Sequence, residues 1–92
     1  MAAVELTAHA ERRSNQRGIR RVVIDVLFDY GATTINGRGC EVIYMDKESR
    51  RRARRALGKT YAKLERALDA YLVVSPDGRL VTCGHRLEKI RS

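Results

Sequence analysis

Apolar residues recur with a helical period between residues 19 and 30. They follow the i, i+3, i+4, i+7 spacing of one helix face: Ile19, Val22, Val23, Val26, Leu27 and Tyr30. Gly31 is expected to end this helix. Upstream, Thr7 is placed to cap a shorter helix that runs to about Arg17, with Gly18 at its C′ position. This region therefore predicts two helices, the second of which supplies much of the core.

Four short β-branched segments follow and predict two hairpins. They are residues 32–35, 40–45, 71–74 and 80–83. Asn36-Gly37 is a strong signal for a two-residue turn between the first pair. Between the second pair, Pro76 presets φ at the second turn position and Gly78 takes the left-handed position. We therefore expect a small antiparallel sheet of about four strands.

The segment between the hairpins has the pattern of a helix. Asp46 is placed to cap it, and the apolar positions between residues 53 and 68 keep helical spacing straight through Gly58. This continuity predicts one long helix or two collinear pieces, with Gly58 as a weak point and not a firm break. The predicted fold is α+β: a single domain, 1–92, with two N-terminal helices packed on the sheet and a basic helical insertion at about 46–68.

Charge changes this picture, because almost all of the net charge of +8 lies in that insertion. Residues 47–66 hold nine Lys and Arg residues against only Glu48 and Glu65. A solvated helix normally has more acidic partners at i,i+4, so we interpret the cluster as a surface for nucleic acid or another polyanion. The residues predicted to bind it are Lys47, Arg50, Arg51, Arg52, Arg54, Arg55 and Lys59.

Other function classes lack their motifs. Cys40 and Cys83 have no zinc-site spacing, and the chain contains neither a phosphate loop nor a carboxylate cluster, so no metal or cofactor is expected. The first five residues do not resemble a signal peptide, and the longest apolar run, 70–74, is too short to span a bilayer. We therefore expect a cytoplasmic protein with reduced thiols and no membrane contact.

A candidate site combines both ends of the chain. His9, Arg13 and Arg17 are spaced i, i+4, i+8 and share one helix face, while His85 and Arg86 follow the last predicted strand. Imidazole and guanidinium groups together suit a phosphate, since Arg binds the anion and His transfers protons near neutral pH. Tyr44 is expected to face the same cleft. The alternatives are that the arginines bond to backbone carbonyls, that Tyr44 only packs on the sheet, and that 84–92 is a polar tail.

The segment from Leu6 to Ile19, with its His-Ala, Arg and Arg-Gly-Ile at this spacing, resembles a bacterial family of unknown function. The resemblance extends to the hairpin at 72–82, and it covers roughly 6–31 and 70–86 but not 46–68. That family looks related to the small ribonuclease toxins of the RelE, barnase and colicin fold group. The resemblance implies a helical pair leading into a curved sheet whose concave face, in the toxins, holds RNA. Only His9, Arg13 and Arg17 match the family pattern as site positions.

Two functional hypotheses follow. The first is a metal-independent endoribonuclease of toxin type, in which His9 or His85 is the acid or base and Arg13, Arg17 or Arg86 stabilises the phosphoryl charge. The second is a non-catalytic module of phage or mobile-element origin that engages nucleic acid or an anionic protein surface through helix 47–66. The expected partners are nucleic acid, with RNA favoured, and an antitoxin or other acidic protein. The oligomeric state stays open, a homodimer included.

Overall fold

In a computed structural model, residues 6–86 are described and form four helices and four strands. The elements are α1 (Ala8–Arg17), α2 (Arg21–Tyr30), β1 (Ala32–Ile35), β2 (Glu41–Tyr44), α3 (Lys47–Leu57), α4 (Lys59–Leu64), β3 (Ala70–Val74) and β4 (Leu80–His85). One antiparallel sheet has the order β1-β2-β3-β4, so the α+β prediction is confirmed. The segment judged not to be a signal peptide, 1–5, and the predicted tail from residue 87 lie outside the described residues.

The first helix has the two caps that its sequence predicts. The Thr7 side chain accepts a hydrogen bond from the Ala10 amide at 3.1 Å. Gly18 ends the helix in the left-handed conformation, at φ 65°. The second helix begins at Arg21, two residues later than the apolar pattern suggests. Ile19 is nevertheless buried, because the extended segment before α2 packs its side chain into the core.

The sheet has a helix-covered face and an open face. Ile43, Leu72 and Cys83 stand opposite one another in register on the covered face, where Cys83 Sγ lies 4.0 Å from the Ala10 carbonyl oxygen of α1. Side chains alternate along a strand, so the neighbouring row points the other way. α1 runs along β4, and α2 lies over β2 and β3. The open face is therefore on the side of the sheet opposite the two N-terminal helices.

The loop of the first hairpin differs from the prediction. Ile35 pairs with Glu41, so five residues, 36–40, connect the strands, and the two-residue turn is wrong. The Asn36 side chain accepts hydrogen bonds from the amides of Arg38 and Cys40, at 2.9 and 3.0 Å. This side-chain bonding stabilises the wider loop in place of a tight Asn-Gly turn. The second hairpin has its predicted turn, with Gly78 at φ 88° and its amide bonded to the Ser75 carbonyl.

The basic segment forms two helices, one of the two arrangements that its pattern allows. Gly58 separates them at φ 55° and ψ −122°, a combination outside the helical region and open mainly to glycine. Gly58 is thus a firm break, contrary to the prediction of a weak point in a continuous helix. The Asp46 carboxylate caps α3 by accepting from the Ser49 amide at 2.8 Å, as predicted. Within residues 6–86, no helix is long and apolar enough to cross a membrane.

Candidate nucleic-acid interface

Two arginines of the basic segment are used inside the molecule. The Arg50 guanidinium donates to the Glu65 carbonyl at 3.1 Å and to the Asp69 carboxylate, and its side chain is only 22% exposed. Arg52 Nη2 donates to the Tyr30 carbonyl, the last residue of α2, at 3.0 Å. These two side chains therefore hold α3 against the rest of the fold; Arg50 is paired with a carboxylate, whereas Arg52 donates to a neutral carbonyl and keeps its charge.

Two further arginines have weaker attachments. Arg51 forms an ion pair with Glu48 at 3.1 Å, but both side chains are more than half exposed, so the pair adds little stability. The Arg54 guanidinium carbon lies 5.3 Å from the centre of the buried Tyr61 ring, within the range of a cation–π contact. Arg51 thus keeps its charge available to solvent, while Arg54 covers the start of α4.

The other cations of the segment are exposed, and their side chains make no hydrogen bond or ion pair with any residue in the described range. They are Lys47, Arg55, Lys59, Lys63 and Arg66. Lys47, Arg51 and Arg55 are spaced i, i+4, i+8, so they lie in one row along the solvent side of α3 over about 12 Å. We call these three residues the basic ridge. Lys59 and Lys63 have the same i,i+4 relation on α4.

A second group of residues lies on the open face of the sheet, where Tyr71 is half-exposed and Tyr44 and Gly84 are buried. Tyr44 and Tyr71 stand opposite each other in register, and Gly84 is the next residue of that row on β4. Arg86 lies with its guanidinium carbon 5.2 Å from the Tyr44 ring centre, and its Nη1 donates to the Met45 carbonyl at 2.9 Å. We call Tyr44, Tyr71 and Gly84 the tyrosine row. It ends where β2 leads into the Asp46 cap of α3.

The C-terminal end of α1 meets this row. The Arg17 side chain reaches the open face beside Gly84, although its helix packs on the covered face. His85 Nε2 lies 2.6 Å from the Arg17 carbonyl oxygen, so that nitrogen is the donor and anchors the helix end. Arg17, Arg86, His85 and Tyr44 therefore lie at one end of the sheet. His85, however, pairs with Ala70 in the row that faces the covered side, so it does not join the others on the open face.

His9 is not part of this group. It lies exposed in the first turn of α1, eight residues before Arg17, which corresponds to about 12 Å along the helix axis. The two histidines therefore occupy opposite ends of α1 and do not form an acid–base pair around one phosphate. Arg13 is half-exposed, one turn from Arg17, and its side chain makes no hydrogen bond or ion pair within residues 6–86.

Tyr71 is the member of the group that the sequence did not indicate. Its pattern is that of an ordinary strand residue, and only the pairing of β3 with both neighbours places it between Tyr44 and Gly84. A glycine within a strand, beside a tyrosine on the neighbouring strand, is the pattern that finds this site.

Other chemistry has little support in residues 6–86. That range contains no cluster of three or more His, Cys, Asp or Glu side chains able to hold a metal ion. Cys83 is buried, and burial raises the pKa of its thiol, while the charge of Arg17 acts in the opposite direction. The thiol is therefore poorly suited to act as a nucleophile at neutral pH.

Comparisons with protein-family models, with curated proteins and with solved structures found no match to this chain. The resemblance to the family related to ribonuclease toxins thus stays a prediction. The functional argument rests on the basic ridge and the tyrosine row.

Proposed function

We propose that this protein binds nucleic acid through the basic ridge, with contacts to the phosphate backbone and not to the bases. The observation that supports this is that some cations of the segment make intramolecular contacts and others point to solvent. Arg50 and Arg52 stabilise the fold, whereas the basic ridge presents three cations in a row without a strong intramolecular partner. A row of cations one helical turn apart suits successive phosphates.

The surface around the ridge favours binding that does not depend on sequence. Tyr61, the aromatic residue of α4, is buried beneath Arg54 and presents no face for a base to stack on. Lys59, Lys63 and Arg66 extend the positive surface beyond Gly58. RNA is the favoured ligand because of the family resemblance, and the alternative is an anionic protein surface that engages the same cations.

A charge-matched pair of variants tests the proposal. In the ridge variant, Lys47, Arg51 and Arg55 are changed to Gln. In the control, Arg12, Arg20 and Arg38 are changed to Gln; these three are exposed, lie on other elements and make no side-chain hydrogen bond or ion pair among residues 6–86. Both variants lose three positive charges. Any difference in binding between them therefore reports position and not net charge.

The measurement is fluorescence anisotropy with labelled single-stranded RNA, and with DNA of the same sequence, at several salt concentrations. For single strands, each phosphate contact adds about 0.7 to the slope of log affinity against log salt. The ridge variant is therefore expected to lose about 2 units of slope, while the control keeps the wild-type slope. Equal losses in both variants would show that the ridge has no special role. Wild-type protein that binds neither nucleic acid at low salt would contradict the proposal and favour the acidic protein partner.

A metal-independent ribonuclease is a second candidate, supported by the meeting of the Arg17 guanidinium and the Tyr71 hydroxyl over Gly84; His85 lies at the same end of the sheet, in the row that faces the covered side. In this hypothesis His85 transfers the proton, because His9 is too far away. RNA cleavage in EDTA that is lost in His85→Ala and retained in His9→Ala supports it. Cleavage that survives His85→Ala, or no cleavage by the wild-type protein, contradicts it.

A further inference from the structure

Gly84 has no side chain, and two side-chain ends occupy the space where its Cβ would be. Any other residue at this position would clash with them. A Cβ built at Gly84 would lie less than 3.0 Å from Arg17 Nη1, Tyr71 Oη and Tyr71 Cε1. Contacts this short do not occur in folded proteins, so any side chain here would push both tips away. The missing Cβ therefore lets the Arg17 guanidinium and the Tyr71 phenol converge on one spot of the open face.

Both tips have unused hydrogen-bonding capacity. No hydrogen bond or ion pair joins the Arg17 guanidinium or the Tyr71 hydroxyl to any residue of the described range 6–86. Arg17 is exposed and Tyr71 is half-exposed, so a ligand can reach both. A guanidinium offers several fixed N–H donors and a phenol offers one more. The ligand that complements a cation and a neutral donor is an anion with several oxygens.

The neighbouring charges favour the same type of ligand. Asp69, the acidic residue next to β3, has its carboxylate paired with Arg50, and its carbonyl accepts from the Arg86 amide. Its negative charge is therefore largely neutralised. The Arg86 guanidinium adds a second positive charge beside Tyr44, on the same face.

We infer that Arg17 and Tyr71, held together over Gly84, form a binding site for one phosphate group. We call these three residues the Gly84 subsite. The inference rests on the proposed function where it identifies the source: the phosphate belongs to the strand that the basic ridge holds. Tyr44 supports this assignment, because it ends β2 three residues before Lys47, the first residue of the basic ridge.

Inorganic phosphate tests the subsite without any nucleic acid. In ¹⁵N–¹H spectra at constant ionic strength, phosphate is expected to shift the amide signals of Gly84 and Tyr71 saturably, whereas chloride does not. The shifts are expected to disappear in Arg17→Gln and to persist in Arg12→Gln, a matched change at another exposed position of the same helix. Gly84 signals that ignore phosphate, or that respond equally in Arg17→Gln, would overturn the inference.

Nucleic-acid binding provides the second arm. Arg17→Gln is expected to lower the slope against salt by about 0.7 and the affinity by about tenfold or more, since it removes one charged phosphate contact. Tyr71→Phe keeps the ring and removes only the hydroxyl, so we expect a loss of about threefold to tenfold with an unchanged slope. Arg12→Gln is the control. Unchanged binding in both subsite variants would contradict the inference.

The two proposals fail in different ways. If the ridge variant loses nucleic acid while Arg17→Gln binds normally and phosphate leaves Gly84 unshifted, the subsite is wrong and the proposed function stands. If phosphate shifts Gly84 but the protein binds no strand, the proposed function is wrong and the subsite takes free phosphate.

Discussion

Arg50 and Arg51 are neighbours in sequence, but the structure predicts different effects of a change to Gln. At Arg50 the change is expected to lower stability, and at Arg51 it is expected to weaken nucleic-acid binding. Arg50→Gln removes the donors to the Glu65 carbonyl and the Asp69 carboxylate. A net hydrogen bond contributes about 0.5–1.5 kcal/mol, and one to a charged group contributes more when it is shielded from water. The carboxylate here is 67% exposed, so the charged bond is discounted. We expect the free energy of unfolding to fall by about 1–2 kcal/mol.

Arg51→Gln removes only an exposed ion pair with Glu48, for which we expect a change below about 0.5 kcal/mol. For a chain of this size, the Arg50 effect corresponds to a drop in Tm of roughly 5–15 °C, and the Arg51 effect to a few degrees at most. For nucleic-acid binding we expect the larger effect from Arg51→Gln. Arg51→Gln is expected to lower the salt slope by about 0.7, and Arg50→Gln to leave it unchanged.

Thermal unfolding followed by circular dichroism, together with anisotropy across a salt series, measures both quantities on the same samples. Arg50→Lys separates charge from geometry, because it keeps the charge but not the two-pronged donor, and it is also expected to lower Tm. Equal Tm values for the Gln variants at positions 50 and 51, or an unchanged slope in Arg51→Gln, would refute the division between structural and binding arginines.

Three further predictions concern the scaffold. Gly31→Ala places a methyl group within 2.6 Å of a backbone carbonyl oxygen and an isoleucine side chain, so we expect urea unfolding to show that the free energy of unfolding falls by about 1–3 kcal/mol. The control Gly37→Ala meets no neighbouring atom and is expected to change little; similar values for the two variants would contradict the clash. Asp46→Ala removes the α3 cap and is expected to cost about 1 kcal/mol at neutral pH. The bond from the Ser49 amide lowers the pKa of Asp46 below 3.8. The stability lost in Asp46→Ala is therefore fully present above pH 4 and shrinks as the pH falls through the folded-state pKa. A stability loss that does not vary between pH 7 and 2 would argue against capping by the carboxylate. A thiol reagent is expected to label the half-buried Cys40 well before the buried Cys83, whose pKa is raised, and simultaneous labelling in the native protein would contradict the burial of Cys83.

Local signals account for most of the fold. The caps Thr7 and Gly18, the apolar period of α2 and the turn at Pro76 act within a few residues, so they are visible in the sequence. The five-residue loop after β1 was missed because the Asn36 side chain bonds to amides two and four residues ahead. The break at Gly58 was missed because apolar spacing alone continues through it.

The candidate site depends on contacts that sequence spacing does not contain. The sequence shows the cluster of positive charge. It does not show which arginines are structural, since Arg50 and Arg52 bond to residues far away in sequence. Arg17 and His85 were identified from residue type and were brought together by the packing of α1 on β4. Tyr71 was missed because strand register, and no local motif, places it beside Gly84.

The packing of α1 on β4 has a consequence for how the protein is made. The Thr7 hydroxyl bonds to the Val81 carbonyl across 74 residues of sequence, and the other contacts between these two elements span similar distances. On the ribosome, α1 therefore emerges long before the strand that covers it. Closing so long a loop comes after the local hairpins have formed. Arg17 and Tyr71 can thus meet over Gly84 only when β4 has been synthesised, so their side chains come together in one of the last steps of folding.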